Sequence, residues 1–362
     1  MMLDSTTLAP ADAQSLPATA WQARSGTWTS RVAGVAAVML VLGLVALPAV
    51  ASRSLIQDLI FVFTMLALAQ LWNVIAGWGG LVSVGQQAFV GLGAYMLFAC
   101  TALASIDPLL AIPIAGCFAA VVAAIVGPLL FRLEGPYFAI GSWVFAEVCR
   151  LLCAQVKVLG GGTGMSLSGS ATAEMAGLKW VQLLFGIRAA AARDVIVYWL
   201  ALMVVIIVTA SIYALMRSRL GLALAATRDN IAAARSIGIR AGRIRYALWV
   251  AAGFATGIVG AIAYLQKARI SPDAAFSVVD WTAYVLFIVV IGGVRTIEGP
   301  IVGVLLLWAL LYNLSQYGSL YLLLLGVIAI VMMLFMPKGL WGAWGEQSGL
   351  QLFPIRRLLI RR

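Results

Sequence analysis

Charge is what this sequence has least of. Asp, Glu, Lys and Arg make up 10% of its 362 residues and hydrophobic residues 63%, whereas a soluble chain carries about 25% charged and about 45–50% apolar residues. Too little polar surface is available to coat a water-soluble globule. A soluble enzyme, a secreted scaffold and a disordered tail are therefore excluded. Histidine is absent, which removes the commonest metal ligand and the commonest general base near neutral pH. The four cysteines, Cys100, Cys117, Cys149 and Cys153, lie in apolar runs without CxxC spacing or a disulfide framework. They read as small packing residues, and neither a metal site nor a cofactor is expected. Acid is scarcer than base, with 13 Asp+Glu against 24 Lys+Arg and a net charge of +11. In a soluble protein that balance would raise nucleic-acid binding. Here it is the excess of Lys and Arg that orients membrane proteins, and no nucleic-acid partner is expected.

What is abundant is long apolar runs. Mean hydropathy is +1.04, and a membrane crossing takes about 20 apolar residues. The runs predict helices near 32–50, 55–77, 82–104, 109–130, 136–156, 195–216, 246–265, 281–292, 300–315 and 320–336. The run at 281–292 is short, so its helix is expected to begin in the preceding loop. The runs are continuously apolar instead of alternating, which argues against a β-barrel. The expected fold is an all-α polytopic bundle of about ten transmembrane helices in contact with the lipid bilayer. With the N-terminus inside, sixteen basic residues fall on the cytoplasmic side and seven outside, so both termini are expected to be cytoplasmic. Residues 1–31 read as a disordered polar leader, 32–336 as the membrane domain and 337–362 as a basic cytoplasmic tail. Arg31, the apolar run and Ala49-Val50-Ala51 resemble a signal peptide, but its charged region would be unusually long. An uncleaved first helix is expected.

Two loops carry content. Segment 217–245 holds seven arginines with Asp229 and Asn230 interleaved. Its alanines and arginines favour a short helix on the membrane face, and its charge exceeds what orientation needs, which points to a docking surface. Segment 157–194 contains Gly160-Gly161-Gly162-Thr163-Gly164. The G-x-x-x-x-G-K-[ST] phosphate-binding pattern is not met, so a turn leading into a surface helix is expected and no nucleotide site.

Within the membrane, the stretch from Asn73 to Tyr95 combines glycines (Gly79, Gly80, Gly85, Gly91, Gly93) with the neutral polar groups Asn73, Ser83, Gln86 and Gln87. Irregular backbone at membrane depth survives where it is buried in protein or lines a water-filled cavity. Two readings follow, a lining of the translocation route or tight helix packing. Gly253/Gly257 and Gly299/Gly303 are GxxxG pairs, which put a flat stripe on one helix face. Glu147 lies mid-span with Arg150 three residues on, on one helix face where they can pair. Either this pair orients the helix locally or it touches the solute. No second mid-span acid and no His relay is visible, which weakens a proton-coupled carrier. Clustered acids, His and a nucleophile beside a base are lacking, so an enzyme is not expected.

Four stretches carry a family resemblance: Gly79 to Tyr95; Gly135-Pro136-Tyr137-Phe138 with Phe145-Ala146-Glu147-Val148-Cys149-Arg150; Ser218-Arg219-Leu220-Gly221 through Arg228-Asp229-Asn230 to Gly238; and Gly292-Gly293 with Thr296-Ile297-Glu298-Gly299-Pro300. Over residues 55–342 the chain resembles the membrane permeases of branched-chain amino-acid ABC importers, in particular the M-type subunit. The resemblance implies a multi-pass subunit of a bacterial inner membrane. Its implied partners are a second homologous permease, two cytoplasmic ATPase subunits and a periplasmic solute-binding protein. Docking on the ATPase would involve Arg219, Gly221, Arg228, Asp229 and Gly238. The route would involve Asn73, Ser83, Gln86, Gln87, Tyr137 and Glu147, and helix packing would use Gly85, Gly91, Gly93, Gly253, Gly257, Gly299 and Gly303. The implied solute is a branched-chain or other hydrophobic amino acid. Relatives that move urea or short amides, and a self-sufficient secondary carrier, are the alternatives. Family members often carry His where Gln86 stands, a small residue at Arg295 and Glu at Ile231.

Overall fold

A computed structural model describes residues 21–24, 28–169, 175–318, 320–336, 338–348, 353 and 358–361. Most of the expected leader and much of the basic tail lie outside the described residues. Each apolar run forms a helix. They are α1 (Trp28–Ala46), α2 (Arg53–Asn73), α3 (Gln86–Leu103), α4 (Pro108–Leu130), α5 (Pro136–Gln155), a surface helix α6 (Leu178–Phe185) and α7 (Ala189–Arg217). Two short helices, α8 (Arg219–Asp229) and α9 (Ile231–Ser236), precede α10 (Ala241–Lys267). The rest are α11 (Pro272–Ala275), α12 (Tyr284–Gly292), α13 (Glu298–Leu314), α14 (Leu320–Phe335) and α15 (Gly339–Ser348). Eight of the described helical spans are long and apolar enough to cross a membrane, and Gly34–Ala49 and Glu298–Leu314 are shorter apolar helices. As expected from the short run at 281–292, its span starts early and covers Pro272–Gly292.

Local chemistry sets several boundaries. Ser52 accepts a hydrogen bond from Leu55 N at 3.3 Å ahead of α2. Asp107 caps α4 by accepting from Leu109 N at 2.7 Å, with Pro108 in the first turn. Ser218 and Asn230 cap α8 and α9 in the same way. The segment at 217–245 is therefore two capped helices over 219–236, and 241–245 already belong to the next span. On the opposite side, α7 starts at Ala189, inside the loop read as ending at 194.

The interior is built on close backbone approach. A Cβ added at Gly253 would stand 2.8 Å from Ala123 Cβ, and one at Gly257 would stand 2.5 Å from Ala119 Cβ. Gly93 faces the carbonyl of Gly257, and Gly260 faces the carbonyl of Val90. These contacts lock α3, α4 and α10 together, as small residues do between membrane helices. A second seam joins α12 and α13, where Gly303 meets the Ile288 carbonyl and Gly292 meets that of Gly299. Within their apolar windows, 78% of Gln86–Leu103 is buried against 22% of Pro136–Gln155 and 6% of Leu320–Ala343. Helix α3 is thus central, whereas α5 and α14 are peripheral. Helix α1 touches the body at its end, where Tyr198 and Trp199 of α7 donate to the carbonyls of Leu44 and Val45. Cys100 and Cys149 are buried, Cys153 is half-buried and Cys117 is exposed, all as free thiols. Two short ladders complete the fold. Strand β2 (Met165–Ser166) pairs with β3 (Arg269–Ile270), and β1 (Trp21–Arg24) pairs with β4 (Leu358–Arg361). The second ladder pairs residues 21–24 with residues 358–361.

Candidate functional site

The glycine-rich stretch interrupts the bundle. Helix α2 ends in a wide π turn over Val74–Trp78, and α3 resumes at Gln86, leaving 79–85 as irregular backbone. Its polar side chains point inward and bond within the chain. Asn73, fully buried, donates from Nδ2 to Thr296 O at 2.8 Å and accepts from Arg295 N at 2.9 Å. Gln70, one turn earlier, donates to Ile297 O at 2.7 Å. Ser83 accepts from Gly85 N at 3.2 Å, and its carbonyl accepts from Trp72 Nε1 at 2.8 Å. Gln86 donates to Leu68 O at 3.0 Å, while Gln87 accepts the Thr282 hydroxyl hydrogen bond. Gly91 packs against the Phe276 ring and Gly85 against the Ser142 carbonyl. In this arrangement the four neutral groups hold α2, α3 and the 293–298 turn in register.

The other two proposed route residues lie on α5, on a face open to the outside. Tyr137, Ile140, Val144, Val148 and Leu151 are exposed there, and Glu147 shares the face with its side chain 45% exposed. Arg150 binds Glu147 at 2.5 Å and reaches Asp273, at the start of α11, at 2.6 Å. A charged group at the centre of a lipid-facing helix costs about 2.5–3.5 kcal/mol on insertion scales. Glu147 and Arg150 are thus charged groups on an otherwise apolar helix, with Asp273 brought to them from α11. Asp273 gave no signal in the sequence, because it stands 123 positions from Arg150 on a different helix. Ser142 is in the same position. Its hydroxyl accepts from Val84 N at 3.0 Å, a contact no local pattern reveals.

The α8–α9 pair has the composition of a docking surface. Leu220, Leu222, Ile231 and Ile237 are exposed among the exposed Arg219, Arg235 and Arg240. Arg228 pairs with Asp229 and packs on Gly80. Gly221 and Gly238 shape the segment: a Cβ at Gly221 would stand 2.6 Å from the Met216 carbonyl, and Gly238 ends α9 at φ +84°. Elsewhere, a groove of about 590 Å³ between α4, α7 and α10 is lined by groups such as Met203, Ile207, Phe254 and Ile258, with Ser211 contributing a hydroxyl. With a single hydroxyl among apolar groups, such a lining offers a polar solute little to bind.

Residues 54–337 match the family described as branched-chain amino acid transport system / permease component. The chain belongs to that permease family. Among its relatives is the high-affinity branched-chain amino acid transport system permease protein LivM of Escherichia coli (strain K12). It is 30% identical over 315 residues, covering 84% of this chain and 73% of the relative. The LivM protein of Salmonella typhimurium (strain LT2) is 29% identical over 308 residues, covering 82% and 72%. No solved structure matches the chain. The permease is thus a multi-pass membrane transport subunit, and the matched region contains the 79–85 break, the charged α5 face and the α8–α9 segment.

Proposed function

We propose that the permease forms one half of the membrane pathway of an ATP-driven importer in a bacterial inner membrane, with both chain ends in the cytoplasm. A second, homologous permease completes the pathway, two ATPase subunits dock on α8–α9, and a periplasmic solute-binding protein docks on the loops at 157–188 and 268–271. The solute is a branched-chain or other hydrophobic amino acid. The observation that carries this reading is the open α5 face with Tyr137, Glu147 and the Arg150–Asp273 bridge. It is too polar for lipid and too exposed for a self-contained channel, so a second chain is needed to enclose it. The neutral buried groups Asn73, Ser83, Gln86 and Gln87 support the route from behind by fixing α3. The relatives' printed role in branched-chain amino acid transport supports the solute class, and a chain without a phosphate-binding pattern is in keeping with ATP hydrolysis on another subunit.

Co-purification followed by reconstitution tests the proposal. The permease should bring an ATPase with it, and ATP hydrolysis should rise when the binding protein is loaded with leucine, isoleucine or valine. Stimulation by urea or a short amide instead would move the solute class. Uptake by the isolated chain without an ATPase would make it a secondary carrier and overturn the importer reading.

A further inference from the structure

Two polar contacts fasten the peripheral helix α5 to the body. Toward its outer end Arg150 binds Asp273 at 2.6 Å. Toward its inner end the fully buried Ser142 hydroxyl accepts from Val84 N at 3.0 Å and donates to its own helix at Ala139 O at 2.8 Å. The inner contact is made by the irregular 79–85 segment, whose Gly85 also lies against the Ser142 carbonyl. The other end of that segment is held by the docking region. A Cβ added at Gly80 would meet Arg228 Cγ of α8 and Arg245 Nη2 of α10, each at 3.3 Å. Arg245 in turn donates to Thr227 O in the last turn of α8 at 3.3 Å. The φ of Gly80 is +69°, a conformation that suits glycine and lets the chain turn under the two arginines.

We infer that segment 79–85 is the mechanical link by which displacement of α8 reaches the α5 face, with Gly80 and Ser142 as positioning residues at its two ends. The inference rests on the reading above, in which α8 docks an ATPase and α5 lines the route. A segment with helical hydrogen bonding would deform as part of α2 or α3. An irregular segment pinned at both ends can instead shift between two settings while the sealed α3–α4–α10 core stays fixed. Trp72 Nε1, which donates to the Ser83 carbonyl, braces its midpoint against α2, so motion entering at Gly80 is directed toward Val84 and Ser142.

The test uses the complete transporter in lipid nanodiscs or proteoliposomes, comparing the parent permease with Ser142→Ala. The variant should keep its ATPase subunits and its basal hydrolysis, while solute moved per ATP falls about fivefold to tenfold, the weight of one buried hydrogen bond. A second measurement guards against a merely loosened fold. In a background with Cys117→Ala and Cys153→Ala, a cysteine at the exposed Val144 position reports on the α5 face by its maleimide labelling rate. That rate should differ between nucleotide-free and vanadate-trapped complexes, and the difference should vanish with Ser142→Ala. An unchanged coupling ratio, or a labelling difference that survives Ser142→Ala, would overturn the link. Failure of the parent chain to retain any ATPase would instead sink the docking reading on which it stands.

Discussion

The buried amides of the 73–95 stretch separate two jobs that look alike in a sequence. Gln87 is almost fully buried and bonds the equally buried Thr282 hydroxyl. In Gln87→Leu that hydroxyl loses its partner, at a cost of about 1–3 kcal/mol. Thermal unfolding of the detergent-solubilised permease should therefore shift downward, while uptake per folded molecule is retained. A stable Gln87→Leu variant with lost uptake would place the residue on the route. At Gly91 the obstacle is the Phe276 ring, which a leucine side chain would have to displace. Overpacking of this kind costs about 1–3 kcal/mol or more, and Gly91→Leu should reduce the yield of assembled permease in the membrane. Arg150 differs from both, because it joins two carboxylates from different elements. Arg150→Leu should leave the bundle folded, since α5 is peripheral, and should slow uptake by freeing the outer end of that helix.

At the scale of elements, the capped α8–α9 pair and the β2–β3 ladder lie at opposite ends of the spans. A cysteine in place of Ser168 should react with an impermeant thiol reagent in cells with a permeabilised outer membrane, and one in place of Ile237 should react only after lysis. The reverse pattern would invert the topology. Reversing charge at Arg219 and Arg228 together should uncouple ATP hydrolysis from uptake without blocking insertion, and normal uptake by the double variant would remove α8 from the docking surface. These elements were legible in the sequence because each run is apolar throughout, so length alone marks a span. The ends were less so. Caps such as Ser52 and Asn230 act through a side-chain oxygen three residues away, and although the apolar run reached residue 77, it did not show that Val74–Trp78 is a π turn. Still less legible was the orientation of α5. Its Glu147 and Arg150 stand three residues apart, but whether their face is buried or open depends on which helices pack beside it, and Asp273 is supplied by a distant segment. For the same reason the partners of Asn73, which lie more than 200 positions away, were not legible in the amide cluster's own sequence.

Across the whole molecule, the β1–β4 ladder places the first and last strands side by side, an arrangement compatible with the even number of crossings expected from the sequence. A fluorescent protein fused to the C-terminus should fold and emit, as it does in the cytoplasm, and a dark fusion would argue for an odd number of crossings. The central seam has a further consequence. Where α3, α4 and α10 meet, backbone lies directly on backbone, at Gly93 against Gly257 and Gly260 against Val90, with no file of polar side chains between them. Moving one elementary charge across 100 mV is worth about 2.3 kcal/mol, so a continuous wet crevice there would be a permanent leak for protons. The glycines leave this seam as backbone-on-backbone contact, so on the reading proposed above, with the route along the α5 rim, uptake would not have to open a path for ions through the middle of the protein.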